Sequence, residues 1–102
     1  MKINREYIPR TTIEHFADKH KLTMSVVERQ RPINDPSRYY AHFDHCEVKD
    51  GCILCSESGN GKTPEEAIAN YAASIEMKLL VVNAYKKNRR EITIPRLIGS
   101  IM

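Results

Sequence analysis

The sequence lacks a long hydrophobic run, an export signal and an even set of cysteines. None of its 102 residues lies in a stretch approaching the about 18 consecutive apolar residues that identify a membrane-spanning helix. Residues 1–6 are charged and polar where a signal peptide would be apolar. The three cysteines do not favour the disulfide framework on which many small secreted domains depend. These absences predict a protein of the reducing cytoplasm, with no membrane partner.

Patterns typical of catalysis are also absent. No Cys–His or Ser–His arrangement follows from the spacing, and no carboxylate pair stands where a cleft is expected. Gly61-Lys62-Thr63 is similar to the end of a phosphate-binding P-loop, but the full motif needs a glycine where Ser56 stands. We therefore predict that the protein is not an enzyme and holds no cofactor.

The composition is that of one globular domain. Apolar residues make up 41% of the chain and charged residues 28%, which excludes a disordered chain. A second hydrophobic core does not fit into this length, and neither repeats nor a linker is visible. Residues 1–102 are thus predicted to form a single α+β domain.

Two helices are indicated by capping patterns. The first is predicted over residues 11–20, with Thr11 as the N-cap and Glu14 closing a capping box. The second begins at Thr63, with Pro64 at the first helical position and Glu66 at the third. Its predicted apolar face consists of Ala67, Ile68, Tyr71, Ala72 and Ile75.

Three strands are predicted between the helices. They cover residues 24–29, 39–48 and 52–57. The last two form a hairpin around Asp50-Gly51, which is typical of a two-residue type I′ turn with positive φ at both central residues. Residues 31–37 and 58–61 are predicted loops, the second of them flexible.

The chain after the second helix allows two interpretations. Residues 79–82 fit either a continuation of the helix or a buried strand. Residues 90–95 alternate between polar and apolar, which favours a hairpin turning through residues 86–89. The predicted fold is therefore an α-β-β-β-α core followed by a C-terminal β-hairpin.

The cysteines raise the question of zinc. The predicted hairpin register places Cys46 opposite Cys55, with Cα atoms about 4.5 Å apart. His42 could join them, which makes three ligands where structural zinc normally takes four. We favour reduced cysteines and no metal, and keep a zinc-stabilised small domain as an alternative. A Cys46–Cys55 disulfide fits the same geometry, but the reducing compartment argues against it.

Positive charge is clustered along the chain. The formal net charge is only +3, but residues 86–96 carry five basic residues against one acid, Glu91. This cluster is predicted to contact phosphates or an acidic protein surface through Lys86, Lys87, Arg89, Arg90 and Arg96. A second basic group that could extend the contact consists of Arg29, Arg31 and Arg38. A solubilising hairpin tip is the alternative. No aromatic residue interleaves these charges, and one ring of Tyr39 and Tyr40 is expected to be core.

The order helix, three strands, helix over residues 11–76 resembles the topology of a double-stranded-RNA-binding domain. That family grips phosphates with lysines at the start of its second helix, where this chain has Thr63-Pro64-Glu65-Glu66. Residues 38–76 resemble the HicB-type antitoxin domain in the Arg38–Phe43 strand, the Lys49-Asp50-Gly51 hairpin and the Thr63–Ile68 helix start. This second resemblance implies a fold more than a toxin partner, and an antitoxin that neutralises a small RNase toxin is the alternative function.

In size, compactness and clustered charge the chain resembles small phage or prophage accessory proteins, a class that includes anti-CRISPR inhibitors of host defence. Such proteins bind and block. The resemblance implies a non-catalytic module in a bacterial host cell, whose partner is a host protein, a ribonucleoprotein complex or nucleic acid itself. A homodimer through an edge strand, at residues 24–29 or 90–94, is also expected to be possible.

Overall fold

The computed structural model describes residues 10–98, which contain two helices and nine strands. In chain order these are β1 (Arg10–Thr12), α1 (Ile13–His20), β2 (Met24–Glu28), β3 (Tyr39–Phe43), β4 (Cys46–Asp50), β5 (Ile53–Cys55), β6 (Gly59–Gly61), α2 (Pro64–Ile75), β7 (Leu79–Val82), β8 (Arg90–Thr93) and β9 (Arg96–Ile98). The predicted α+β class is confirmed. Neither of these helices has the length and apolar character needed to cross a membrane.

Helix α2 begins as the sequence predicts. Thr63 Oγ1 accepts a hydrogen bond from the backbone N–H of Glu66 at 3.2 Å, and Pro64 occupies the first turn, where its missing N–H costs nothing. Of the predicted apolar face, Ile68 is half-buried and the others are buried: Ala67, Tyr71, Ala72 and Ile75. This face packs on the sheet that contains β3 and β6.

Helix α1 begins one residue later than predicted. Its N-cap is Thr12, whose Oγ1 accepts from the backbone N–H of His15 at 3.1 Å. The assignment of the cap to Thr11 is therefore wrong, because the hydrogen bond from the first turn of the helix goes to Thr12. Both threonines lie in β1, which pairs with β9, and the local sequence pattern does not distinguish between two adjacent threonines as the cap.

The described strands form three sheets. Strands β1 and β9 pair in parallel, β2-β3-β6 form a three-stranded antiparallel sheet, and β5-β4-β7-β8 form a four-stranded antiparallel sheet. Strands β2 and β8 lie at sheet edges, as expected for residues 24–29 and 90–94. The pairing of β9 was not predicted.

The single strand predicted over residues 39–48 is wrong, because the chain changes sheets at Asp44-His45. His45 has a left-handed φ of 59°, which interrupts the extended backbone. Strand β3 before it pairs with β2 and β6, whereas β4 after it pairs with β5 and β7. Phe43 and Val48 are both buried in the same core, one from each sheet.

The hairpin of β4 and β5 has a different turn and register from those predicted. Asp50 pairs with Ile53, so the two-residue loop consists of Gly51 and Cys52. The φ of Gly51 is 63° and Cys52 has no positive φ, a pattern that fits a type II′ turn and not type I′. The returning strand covers Ile53–Cys55 instead of residues 52–57.

Residues 58–61 are not the flexible loop that was predicted. They contain β6, which pairs with β3 and lies directly beneath α2. A Cβ atom on Gly59 would lie closer than 3.0 Å to the backbone N of Tyr71 and the backbone O of Ala67. Because glycine has no Cβ, the backbone of β6 can approach the backbone of the helix.

The C-terminal hairpin is confirmed, and the helical alternative for residues 79–82 is wrong. Strand β7 pairs with β8 from Leu79↔Thr93 to Val82↔Arg90. Leu80, at 0% exposure, faces the core opposite the half-buried Ile92. Strand β7 also pairs with β4, which the prediction of an isolated hairpin did not anticipate.

One core connects the helices and the two larger sheets. Its largest buried side chains are Ile13, Phe16, Phe43, Val48, Tyr71, Ile75, Leu80 and Ile94. The predicted α-β-β-β-α order is present as α1, β2, β3, β6 and α2, with β6 in place of residues 52–57 as the third strand. The β4–β5 hairpin is inserted into this order and belongs to the other sheet.

Candidate binding site where the two sheets separate

The connection between β7 and β8 is a loop made of two consecutive turns. The backbone N–H of Lys86 donates to the carbonyl of Asn83 at 3.0 Å, and that of Arg89 donates to the carbonyl of Lys86 at 3.2 Å. Asn83 itself donates to the carbonyl of His45 at 2.9 Å, which ties the loop to the β3–β4 junction. We call residues 83–90 the basic loop. Backbone hydrogen bonds therefore fix this loop at Asn83, Lys86 and Arg89.

The four predicted contact residues of the basic loop have different environments. The guanidinium of Arg89 forms an ion pair with Glu91 at 2.7 Å, and that of Arg90 donates to the carbonyl of His20 at the end of α1. Lys86 and Lys87 are exposed, and their side chains form no hydrogen bond or ion pair with any residue in the range 10–98. The two lysines are therefore the members of the group whose charges no side chain in the described part of the chain engages.

The other four predicted contact residues are engaged inside the chain. The pairs are Arg29 with the carbonyl of Ser37 (2.7 Å), Arg31 with Asp35 (3.6 Å), Arg38 with Glu28, and Arg96 with Glu76 (3.9 Å). The first three order the loop between β2 and β3. In the described part of the chain no hydrogen bond or ion pair joins these four side chains to the basic loop, and Arg29 stands at one end of a row of rings.

That row lies on the face of the three-stranded sheet opposite α2. The guanidinium of Arg29 sits 4.3 Å from the ring centroid of Tyr40, and the Tyr40 ring stacks on His42 with centroids 5.9 Å apart. Tyr39 points the other way and packs against the core. The prediction that one of the two adjacent tyrosines packs in the core is confirmed for Tyr39. Tyr40 lies on the opposite face of the sheet, beside His42.

Tyr85 is a functional candidate that the sequence reasoning missed. It directly precedes Lys86 and its side chain is 85% exposed. The signal was present in the sequence, because Tyr85-Lys86-Lys87 places an aromatic ring next to two positive charges. The predicted contact begins at Lys86 and therefore leaves this ring out.

A cleft of about 450 Å³ opens beside the basic loop. It lies between this loop, the β3–β4 junction and residues 56–58, which lead from β5 to β6. Both of these connections carry the chain from one large sheet to the other, so the cleft marks the place where the sheets separate. The side chains that define its chemistry are His42, His45, Glu47, Glu57, Tyr85 and Lys86.

The cleft contains both hydrogen-bond acceptors and a hydrogen-bond donor. Glu47 and Glu57 supply carboxylate oxygens, which accept hydrogen bonds, while Lys86 supplies a donor and a positive charge at the side of the basic loop. Tyr85 adds a nearly fully exposed ring to the same lining. This combination can hold a planar polar group with a neighbouring negative charge.

The cysteines do not form the predicted pair. Cys46 lies opposite Val82, and Cys55 lies opposite Val48, so the expected facing of Cys46 and Cys55 is wrong. The error follows from the register, which differs by two residues from the predicted one. All three cysteines are free, and residues 10–98 contain no group of three or more His, Cys, Asp or Glu side chains placed to hold a metal ion. Cys46 and Cys55 therefore do not face each other, and the zinc alternative depended on that arrangement.

We predict that the cysteines differ strongly in reactivity. Burial raises the pKa of the Cys46 thiol to about 11, so about one molecule in a thousand carries the reactive thiolate at pH 8. Cys52 is exposed in the hairpin turn. Titration with a thiol reagent at pH 8, followed by peptide mass mapping, should label Cys52 first and Cys46 slowly. Cys52→Ser should remove the fast phase; a fast phase on Cys46 would contradict its burial.

The comparisons with known proteins do not assign this chain. No protein-family model, no curated protein and no solved structure matches it. The resemblances to double-stranded-RNA-binding domains, HicB-type antitoxins and phage accessory proteins stay predictions. What the structure defines is a small α+β protein with a lysine pair, an exposed tyrosine and a cleft at one end of its sheets.

Proposed function

We propose that this protein is a non-catalytic binding module of phage or mobile-element origin. It acts in the bacterial cytoplasm and docks on nucleic acid or on a nucleic-acid-handling host complex, in the manner of an anti-CRISPR inhibitor. The observation that carries the proposal is the basic loop, in which Lys86 and Lys87 extend from an ordered backbone. Among residues 10–98 no side chain engages their charges.

The order of the loop is the physical reason to treat it as a contact surface. Its backbone hydrogen bonds and the Arg89–Glu91 ion pair fix the positions from which the lysines project. A surface that is ordered before binding loses less conformational entropy when a partner docks. A solubilising tip needs charge but no such order, so these hydrogen bonds favour the binding interpretation.

Phosphate groups are the partner chemistry that suits two adjacent lysines. Each contact between a lysine and a nucleic-acid phosphate releases condensed counterions, so affinity falls with salt in proportion to the number of contacts. Arg89 and Arg90 are already engaged, but their positive charges remain within the same loop and add to the local potential.

The first test is the double variant Lys86→Ala/Lys87→Ala. Its affinity for a fluorescent single-stranded oligonucleotide should fall, and the slope of log Kd against log salt should drop by about 1.4 for two lost contacts. The matched control is Lys49→Ala/Lys62→Ala, which removes the same charge from exposed positions elsewhere. Lys49 is paired at the far end of β7 from the basic loop. Equal binding by both variants would refute the role of the loop.

A pull-down from host lysate, with and without nuclease, distinguishes the two kinds of target. Loss of the captured material after nuclease treatment supports nucleic acid. Retention of a protein complex that the Lys86→Ala/Lys87→Ala variant fails to capture supports docking on a host complex.

A HicB-like antitoxin is the second candidate function. It is supported by the order in which β6 leads directly into the Thr63-capped helix α2, on a three-stranded antiparallel sheet. Copurification of a small RNase whose activity the protein suppresses would favour it. In that case the lysine variants should leave the suppression unchanged.

A further inference from the structure

We propose that the cleft beside the basic loop receives one unpaired base of a single-stranded nucleic acid, with the phosphates on either side at Lys86 and Lys87. This inference rests on the proposed function and names its ligand: a single strand that carries a base with an exocyclic amino group.

Tyr85 provides the stacking surface. Its ring is 85% exposed at the lining of the cleft and immediately precedes the two lysines in the chain. Proteins that bind single strands combine a positive path for the backbone with aromatic rings on which bases stack. Tyr85, Lys86 and Lys87 place both elements on one ordered loop.

The shape of the cleft selects a single strand over a duplex. Its volume of about 450 Å³ lies in the range of small-molecule pockets, which suits one base and its sugar. In a duplex the base edges are paired and stacked, so none can enter a recess in the protein surface. A single strand can turn one base inward while its phosphates stay at the basic loop.

The carboxylates of the cleft select the kind of base. Glu47 and Glu57 both line it and can accept hydrogen bonds from an amino group, such as N4 of cytosine or N6 of adenine. Thymine and uracil present carbonyl oxygens at the corresponding position, which carboxylates repel. The cleft is therefore expected to favour bases with an exocyclic amino group over thymine and uracil.

The experiment measures binding of fluorescein-labelled oligo-dC and oligo-dT, a duplex of the same length, and heparin as a polyanion without bases. The wild-type protein should bind oligo-dC more tightly than oligo-dT and more tightly than the duplex. Tyr85→Ala should weaken binding of oligo-dC roughly ten-fold and leave heparin binding unchanged, because stacking on a base is lost and charge is not. Tyr85→Phe should restore binding of oligo-dC.

Two further variants sharpen the test. Glu57→Gln should reduce the preference for oligo-dC over oligo-dT, since one carboxylate acceptor of the cleft is neutralised. Ile33→Ala is the matched control for removal of an exposed apolar side chain, since Ile33 is 75% exposed in the loop between β2 and β3. It should bind every probe as the wild type does. Circular dichroism of each variant verifies the fold.

The outcomes distinguish failure of the base site from failure of the proposed function. If heparin, duplex and single strands bind equally, depend on Lys86 and Lys87, and are indifferent to Tyr85→Ala, the base site is overturned and the basic contact stands. If no polyanion binds through the two lysines and no host complex is captured through them, both are overturned. A host protein captured through the loop, without any oligonucleotide binding, also overturns the base site.

Discussion

Replacing Gly59 with alanine is expected to lower the free energy of unfolding by at least about 3 kcal/mol, the upper range for an overpacked core. The new methyl group would lie closer than 3.0 Å to the backbone N of Tyr71 and the backbone O of Ala67. These are helix backbone atoms, which cannot turn aside as a side chain can. The variant must lift α2 away from β6 or lose the strand, and both expose core surface. Urea unfolding followed by circular dichroism measures the loss.

Asn60→Ala is the matched control, because Asn60 lies in the same strand between the two buried glycines and is exposed. It loses the side-chain hydrogen bond from Arg29 at 2.8 Å, which is worth about 0.5–1.5 kcal/mol. Gly51→Ala is a second control: nothing lies within 4 Å of its Cβ, so only the φ of +63° opposes the substitution, at about 1–2 kcal/mol. Similar midpoints for Gly59→Ala and Asn60→Ala would show that β6 does not touch the helix.

The second large effect is expected at Tyr71. This side chain is 1% exposed, its ring meets Phe43 edge-on with centroids 5.4 Å apart, and its hydroxyl accepts from the backbone N–H of Phe43 at 3.1 Å. Tyr71→Ala should cost about 3–5 kcal/mol through the cavity that it leaves. Tyr71→Phe keeps the packing and leaves that N–H unsatisfied, which should cost about 1–3 kcal/mol. Denaturant midpoints for the two variants test this ranking; equal losses would contradict it.

Tyr71 also predicts a pH dependence. Burial raises its pKa from 10.0 to about 12, so the folded state holds the phenolic proton more tightly than the unfolded state does. The resulting stabilisation is complete below pH 10 and is lost as the pH rises to about 12, an amount on the order of 3 kcal/mol. Cys46, whose pKa is raised from 9.0 to about 11, adds a loss of the same sign that begins one unit lower.

The comparison of Tyr71→Phe with the wild type isolates the tyrosine contribution, because Cys46 is present in both proteins. Urea unfolding at intervals from pH 8 to pH 11 should give a steeper decline above pH 10 for the wild type. Parallel curves would mean that the Tyr71 hydroxyl is not buried in the folded state.

The elements that could be predicted are those specified by interactions between residues that are close in the sequence. Thr63, Pro64 and Glu66 specify the start of α2 inside its first turn, so no distant contact is needed to find it. The alternation of residues 90–95 indicated a strand, and its partner β7 is close in sequence. The lysine pair at 86–87 was visible as a charge cluster, and the structure leaves it at the surface.

The errors in the strands are at places where pairing with distant residues decides the structure. The strand predicted over 39–48 is divided because its halves join different sheets, and His45 adopts its positive φ without being a glycine. The Gly51 hairpin has two registers that keep Val48 on the core face. Pairing of β4 with β7 on its other side selects between them. The cleft draws on residues 42–47, 56–58 and 83–86, which no local pattern connects.

The sequence by itself determined the α+β class, the capped helix α2, the C-terminal hairpin and the concentration of charge at its turn, because each depends on neighbouring residues. Only the tertiary structure decided that β6 runs beneath α2, that the chain changes sheets at Asp44-His45, and that a cleft opens beside Tyr85 and Lys86. In the sequence, Gly59 and Gly61 predict a loop, whereas in the structure they lie in β6 against the backbone of α2. Because Gly59 has no Cβ, the backbone of β6 can lie against the backbone of α2.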